Sequence, residues 1–295
     1  MSDEFVEVFQ HQGGVATSAQ LLAVISRRNL GTLLEAAVIE RIWHGVYSLG
    51  MADQDRRLRG LDLAAGETVS ICLGTAAQSY GFDTEDTQDL HVLNPAGHQL
   101  RHADGLVVHR RDGAPLSAVP GRSATTAAWT AIEVARGLRR PRALATLDAA
   151  LRSNRCDRAE LARATVAQAG RRGIVRVREL LPLADGRAES PMESEARLVM
   201  LDGGLPSPAL QYEIVDSWGR PRRLDFAWPQ FKVGAEYEGD VWHSGTDALR
   251  RDRERLAALQ DLGWMVVPIV AEDVRRRPAA LVERLSAHIG RAQAA

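Results

Sequence analysis

Apolar positions along the chain change their period several times, and each change predicts an element. Phe5, Val8 and Phe9 fall at helical spacing until Gly13 and Gly14 end the pattern. Thr17 or Ser18 can cap a second helix carrying Leu21, Leu22 and Ile25, and Ser26 a third carrying Leu30, Leu33, Leu34, Ala37 and Val38. The stretch RIWHGVYSL then alternates around His44 and Gly45, as a short β hairpin with Trp43 and Tyr47 packed into it would. Three short helices and a hairpin predict a winged helix-turn-helix over residues 1–50. Its third helix opens with Arg27, Arg28 and Asn29, which can reach phosphates or base edges of double-stranded DNA from the major groove.

Residues 51–188 predict a mixed α/β middle domain. ETVSICLGTAAQSYGF reads as a buried helix, DLHVLNP and GLVVHRRD as strands, and ATTAAWTAIEVARGL and RPRALATLDAALRS as amphipathic helices, with helical spacing continuing over 158–184. His91, His98, His102 and His109 match no compact metal-ligand spacing and read as ordinary surface or core histidines.

A third domain is expected over 189–295. Ser190 caps a helix with Pro191 at its first position and Gly203 and Gly204 past its end, and Ser190 with Glu193 fits the S-x-x-E capping box. Glu195 instead falls on the apolar seam of Met192, Ala196 and Val199, facing either something polar inside or an arginine such as Arg222 or Arg223. Strands follow at ALQYEIVD, RRLDFAW and KVGAEYEG, joined by SWGRP and PQF. A helix follows with Leu249, Leu256, Leu259 and Leu262 on one side, leaving Arg250, Arg251, Arg253 and Arg255 for solvent or phosphate. The strand GWMVVPIV, with Pro268 suited to a sheet edge, and a helix from about Arg277 to Arg291 complete the order.

Alternation in KVGAEYEG puts Glu236 and Glu238 on one face. If Trp228 lies opposite Val233, Asp225 lies opposite Glu236 with β-carbons about 5 Å apart. Three carboxylates crowded this way repel unless a cation joins them, and their hard oxygens suit Mg²⁺ or Mn²⁺. Such an ion would activate a bound water for hydrolysis, and His243, with an unperturbed pKa near neutral, could take or relay a proton.

Bulk composition narrows the classes only a little. With 295 residues, 45% hydrophobic, 25% charged and a net charge of −1, the chain is long enough for two or three cores and is no uniformly basic nucleic-acid glove. The two cysteines, Cys72 and Cys156, support neither a disulfide framework nor a zinc finger. No apolar run is long enough to span a bilayer, so a cytoplasmic protein without membrane contact is expected.

Two resemblances sharpen these expectations. GGVATSAQL and RIWHGVYSL resemble the N-terminal domain of AbiEi-type antitoxins, which implies DNA binding and a cognate toxin as partner. MESEARL, LDFAWP, EYEGDVWH, RDRERLAALQDLGW and VAEDV resemble the very-short-patch-repair-related endonucleases of the restriction-endonuclease-like fold, over about residues 190–274. That likeness implies Asp225, Glu236 and Glu238 as metal ligands, Glu195 as an outer ligand or support, and His243 as a base or phosphate contact. The chain departs from the pattern at Glu238, where many relatives carry lysine, and at Val267 and Pro268, where an arginine is common. The first expectation is a Mg²⁺-dependent DNA endonuclease, with a homodimer suited to double-strand cuts. The alternative is a non-enzymatic DNA-binding regulator or antitoxin whose third domain is an inactive nuclease-like fold.

Overall fold

The computed structural model describes residues 3–82, 84–85, 88–97, 99–110, 113–239 and 246–294, without the side chains of 246–252. The chain divides into two compact units, 1–130 and 131–295.

Unit 1 opens with α1 (Asp3–Gln10), β1 (Val15–Thr17), α2 (Ser18–Val24), α3 (Arg27–Glu35), β2 (Ile39–Trp43) and β3 (Val46–Leu49). Phe5 and Phe9 meet edge to face at 5.3 Å, one helical turn apart, and pack with Leu21, Leu30 and Ile39. Thr17 closes a full capping box with Gln20, and Ser26 Oγ accepts from the Asn29 N–H, so both helices start where the sequence predicts. β3 lies between β1 and β2, and Gly45 at φ +72° makes the hairpin turn.

The segment does not close at residue 50. In α4 (Gln54–Ala65), Leu58, Leu61 and Ala65 share a core with Trp43 and Val46, and Trp43 Nε1 donates to the Arg57 carbonyl at 2.8 Å. That helix covers the hairpin's apolar face, so the expected 51–188 segment is not a body of its own. Its first part completes unit 1, and its later helices belong to unit 2.

The rest of unit 1 is α5 (Leu73–Tyr80), the parallel pair β4 (Leu90–Leu93) and β5 (Leu106–His109), and the hairpin β6 (Leu116–Val119) with β7 (Arg122–Thr125). The expected helix over ETVSICLGTAAQSYGF forms only from Leu73, because Ile71 bridges to Val92 and Ala124. The β4–β5 register also brings His91 Nδ1 and His109 Nε2 to 2.9 Å, a contact that their sequence separation conceals.

The second unit begins within α6 (Ala127–Gly137) and continues through α7 (Arg140–Arg152), α8 (Arg158–Ala167), α9 (Ile174–Leu180) and α10 (Pro191–Asp202). Strands β8 (Ala209–Val215), β9 (Pro221–Trp228) and β10 (Val233–Tyr237) run antiparallel. After α11 (Thr246–Asp261), β11 (Met265–Ile269) lies parallel to β10, and α12 (Ala271–Arg275) and α13 (Pro278–Ala294) end the chain. The order helix, three strands, helix, strand is the one the hydrophobic pattern predicts. Pro268 sits on an edge strand, where its missing N–H breaks no ladder.

Phe226, Trp228, Val233, Ala235, Val267 and Ile269 form one sheet face, packed on Ala196 and Met200 of α10 and on α13. Leu224, Ala227, Leu259 and Trp264 form the other core. Trp228 is wholly buried and anchors its indole N–H on the Pro206 carbonyl at 2.7 Å. Trp228→Ala is expected to cost about 3–5 kcal/mol, measured as a loss of unfolding free energy in urea. A loss below about 1 kcal/mol would mean that this face is not the unit's main core.

Cys72 and Cys156 are both buried, and they form no disulfide with each other. Burial, with Glu160 and Asp157 adding, pushes the Cys156 thiol up to about 12, so it is an inert packing residue. Among the described residues no helix is long and apolar enough to cross a membrane.

Candidate functional site

Ladder pairing in unit 2 follows the expected register, with Trp228 opposite Val233 and Phe226 opposite Ala235. It stops one step short of the expected Asp225–Glu236 pair. There the Asp225 carboxylate accepts the Tyr237 backbone N–H at 2.9 Å. On the other side the β8–β9 ladder skips Gln211, whose φ is +49°. Side-chain alternation reverses at this point in both strands. Leu210 and Phe226 face the α10 core, whereas Tyr212 and Leu224 face the opposite one.

This distortion joins Asp225 to α10. Gln211 Nε2 donates to Glu193 Oε2 at 2.9 Å and to Asp225 Oδ1 at 3.4 Å. Glu193 is buried, and its Oε2 also accepts the Glu189 N–H at 2.8 Å. Desolvation pushes its carboxyl above the usual range, and the nearby Asp225 charge adds to the rise, against the lowering by its hydrogen bonds.

Glu193 is therefore the carboxylate that α10 turns toward the strands. Ser190 Oγ accepts the Glu193 N–H at 3.1 Å as expected, but the Glu193 side chain does not bond back to the Ser190 backbone. Half of the capping box is present. The other half is replaced by contact with Glu189 and Gln211.

Glu195 lies elsewhere. Two positions on, about 200° around the helix, it is buried between Arg275, at 3.0 Å, and Arg142, at 3.3 Å. Burial acts upward on its pKa, but Arg275 and Arg142 outweigh that and hold the carboxyl below its ordinary value. Glu195, expected as an outer ligand or support, is held here in an interhelical ion pair. Arg222 and Arg223, its expected partners, pair instead with Asp216 and Glu189. A second buried pair, Arg197 with Asp148 at 2.7 Å, ties α10 to α7 in the same way.

Glu236 projects toward α11, where Arg255 grips both of its carboxylate oxygens. Arg255 is thus bound to a carboxylate, against the expected solvent or phosphate. Glu238 and Arg253 are exposed. His243 lies outside the described residues, as do the side chains of Arg250 and Arg251.

Among the described residues no group of three or more His, Cys, Asp or Glu is arranged to hold a metal ion. A hard cation needs several oxygens converging at about 2.1–2.6 Å. Here the Gln211 amide N–H stands between Glu193 and Asp225, and Arg255 engages Glu236. In this arrangement the described donors do not form a Mg²⁺ or Mn²⁺ shell.

Unit 1 offers a different surface. Arg27, Arg28 and Asn29 are exposed on the first turn of α3, and Arg41 and His44 are exposed on the β2–β3 hairpin. Trp43 and Tyr47 are buried, packing the hairpin as the alternation predicts.

Comparison with known proteins gives two findings. The family described as AbiEi antitoxin C-terminal domain matches residues 69–183, the region after the N-terminal segment that carries the AbiEi-like motifs. The uncharacterized proteins Rv2248 and MT2308, from two strains of Mycobacterium tuberculosis, are each 55% identical over 271 residues, covering 92% of this chain and 100% of theirs. The chain therefore belongs to the same family as these two mycobacterial proteins and contains, at residues 69–183, a stretch similar to the AbiEi antitoxin C-terminal domain.

Proposed function

We propose that the protein is a sequence-specific DNA-binding regulator of the antitoxin type, which docks on duplex DNA through α3 and the β2–β3 hairpin and engages a toxin as protein partner. The observation that carries this reading is the AbiEi-like stretch that follows, after α4, a helix pair and hairpin whose basic residues are exposed. In the docked state Arg27, Arg28 and Asn29 meet phosphates or base edges from the end of α3, while Arg41 and His44 reach the flanking backbone.

Phosphodiester hydrolysis is the second reading. It is favoured by Asp225 facing Glu193 across Gln211, and it requires Arg255 to release Glu236. Incubation of supercoiled plasmid with the full chain and Mg²⁺ or Mn²⁺ separates the two. The regulator reading expects retarded but intact plasmid. Cutting that is lost in both Asp225→Ala and Glu193→Ala would replace it with a nuclease.

A further inference from the structure

The turn between β8 and β9 displays Trp218 with 62% of its surface exposed, whereas Trp228 and Trp264 of the same unit are buried. Among the exposed large hydrophobics described in this unit, its indole is the largest apolar surface left in water.

The turn is braced, so it does not fold over to cover the indole. Asp216, only 4% exposed, accepts the backbone N–H groups of Trp218 at 3.0 Å and Arg220 at 2.8 Å, and Arg222 Nε at 2.9 Å. Gly219, at φ +74°, supplies the left-handed residue that the turn needs. The conformation is ordered before any partner arrives, which removes part of the entropic cost of binding.

Charge on the same turn selects the partner. Arg222 is engaged by Asp216 and Arg223 by Glu189, but among the described residues no carboxylate pairs with Arg220. An exposed indole and an exposed, unneutralised arginine two residues apart in one braced turn match a nucleobase face and its adjoining phosphate. Apolar exposure at the tip is confined to Trp218 and Val215, too small a patch for a stable protein interface.

We propose that this turn is a second DNA contact, in which Trp218 stacks on an exposed base and Arg220 meets the neighbouring phosphate. It rests on the DNA-binding reading above only for the class of ligand.

The test is anisotropy of a labelled single strand of about 20 nucleotides, and of its duplex, with the full chain in EDTA across a salt series. Trp218→Ala is expected to weaken single-strand binding about tenfold with the salt slope unchanged, and Trp218→Phe to recover most of it. Arg220→Ala is expected to reduce the slope by about one counterion. A matching loss on duplex supports an inserted wedge, and a loss on single strands alone supports stacking on an unpaired base.

Unchanged affinity of Trp218→Ala for both DNAs overturns the proposal, as does a change in its molar mass by light scattering without any effect on DNA. The double variant Arg27→Ala/Arg28→Ala, run in parallel, tells the two surfaces apart. If it alone loses binding, unit 1 docks DNA and the Trp218 turn does not. If only the Trp218 and Arg220 variants lose binding, the turn is a DNA contact and the docking role of α3 fails.

Discussion

Alanine at both Arg27 and Arg28 is expected to weaken duplex binding by about tenfold to a hundredfold near physiological salt, and to flatten the salt dependence by about two counterions. Both side chains are exposed on the first turn of α3, whose start is fixed by the Ser26 cap. A helix N-terminus also carries partial positive charge toward a phosphate, so the arginines add to a field that the backbone already supplies. Because neither residue is buried, the substitutions should leave the melting temperature within about 2 °C of the parent. Anisotropy at several salt concentrations checks both numbers. Unchanged affinity with an unchanged slope would remove α3 from the interface.

Glu193→Gln and Glu195→Gln, two positions apart on one helix, should shift stability in opposite directions. Glu195 is buried between Arg275 and Arg142, and neutralising it leaves two guanidinium groups without their carboxylate. A buried pair broken from one side costs about 3–5 kcal/mol, and the partial exposure of Arg275 lowers the expected loss to about 2–3 kcal/mol. Its depressed pKa means that the stabilisation is present above the ordinary glutamate range and is lost as pH falls through the depressed value.

Glu193 has the reverse sign. Its pKa is raised by burial, with the Asp225 charge adding, so ionising it costs folded-state stability as pH rises from the ordinary range through the raised value. Glu193→Gln keeps an acceptor for the Glu189 N–H and is expected to raise the urea midpoint at neutral pH, with the gain vanishing in acid. Urea midpoints for both variants between about pH 4 and 8 read this directly. Two variants that destabilise equally at neutral pH would mean that the Glu193–Gln211–Asp225 contact is an ordinary structural hydrogen-bond network.

Much of the architecture was legible because local signals and burial agree. The Thr17, Ser26 and Ser190 caps and the alternation of RIWHGVYSL all mark real boundaries or faces. So does the Val233–Trp228 register, which follows from a short PQF connection. The β6–β7 hairpin was missed because Leu116–Val119 and Arg122–Thr125 have little apolar alternation.

The candidate site was harder to read for a physical reason. Strand alternation assumes regular backbone, and Gln211 in the left-handed region breaks it just where Asp225 must choose a side. Glu193 was explained away by a capping motif, although Ala196 and Met200, three and seven residues on, place it on the sheet-facing stripe. Glu195 looked like the buried outlier because its partners, Arg142 and Arg275, lie 53 and 80 positions away. No local pattern reports a partner at that separation.

The measurement that bears most directly on the central claim is selection from a random duplex library by the full chain in EDTA. A regulator docking through α3 should enrich one short sequence over successive rounds, and the Arg27→Ala/Arg28→Ala variant should fail to enrich it. Retention of DNA without any sequence enrichment, or enrichment that survives the double substitution, would contradict the account.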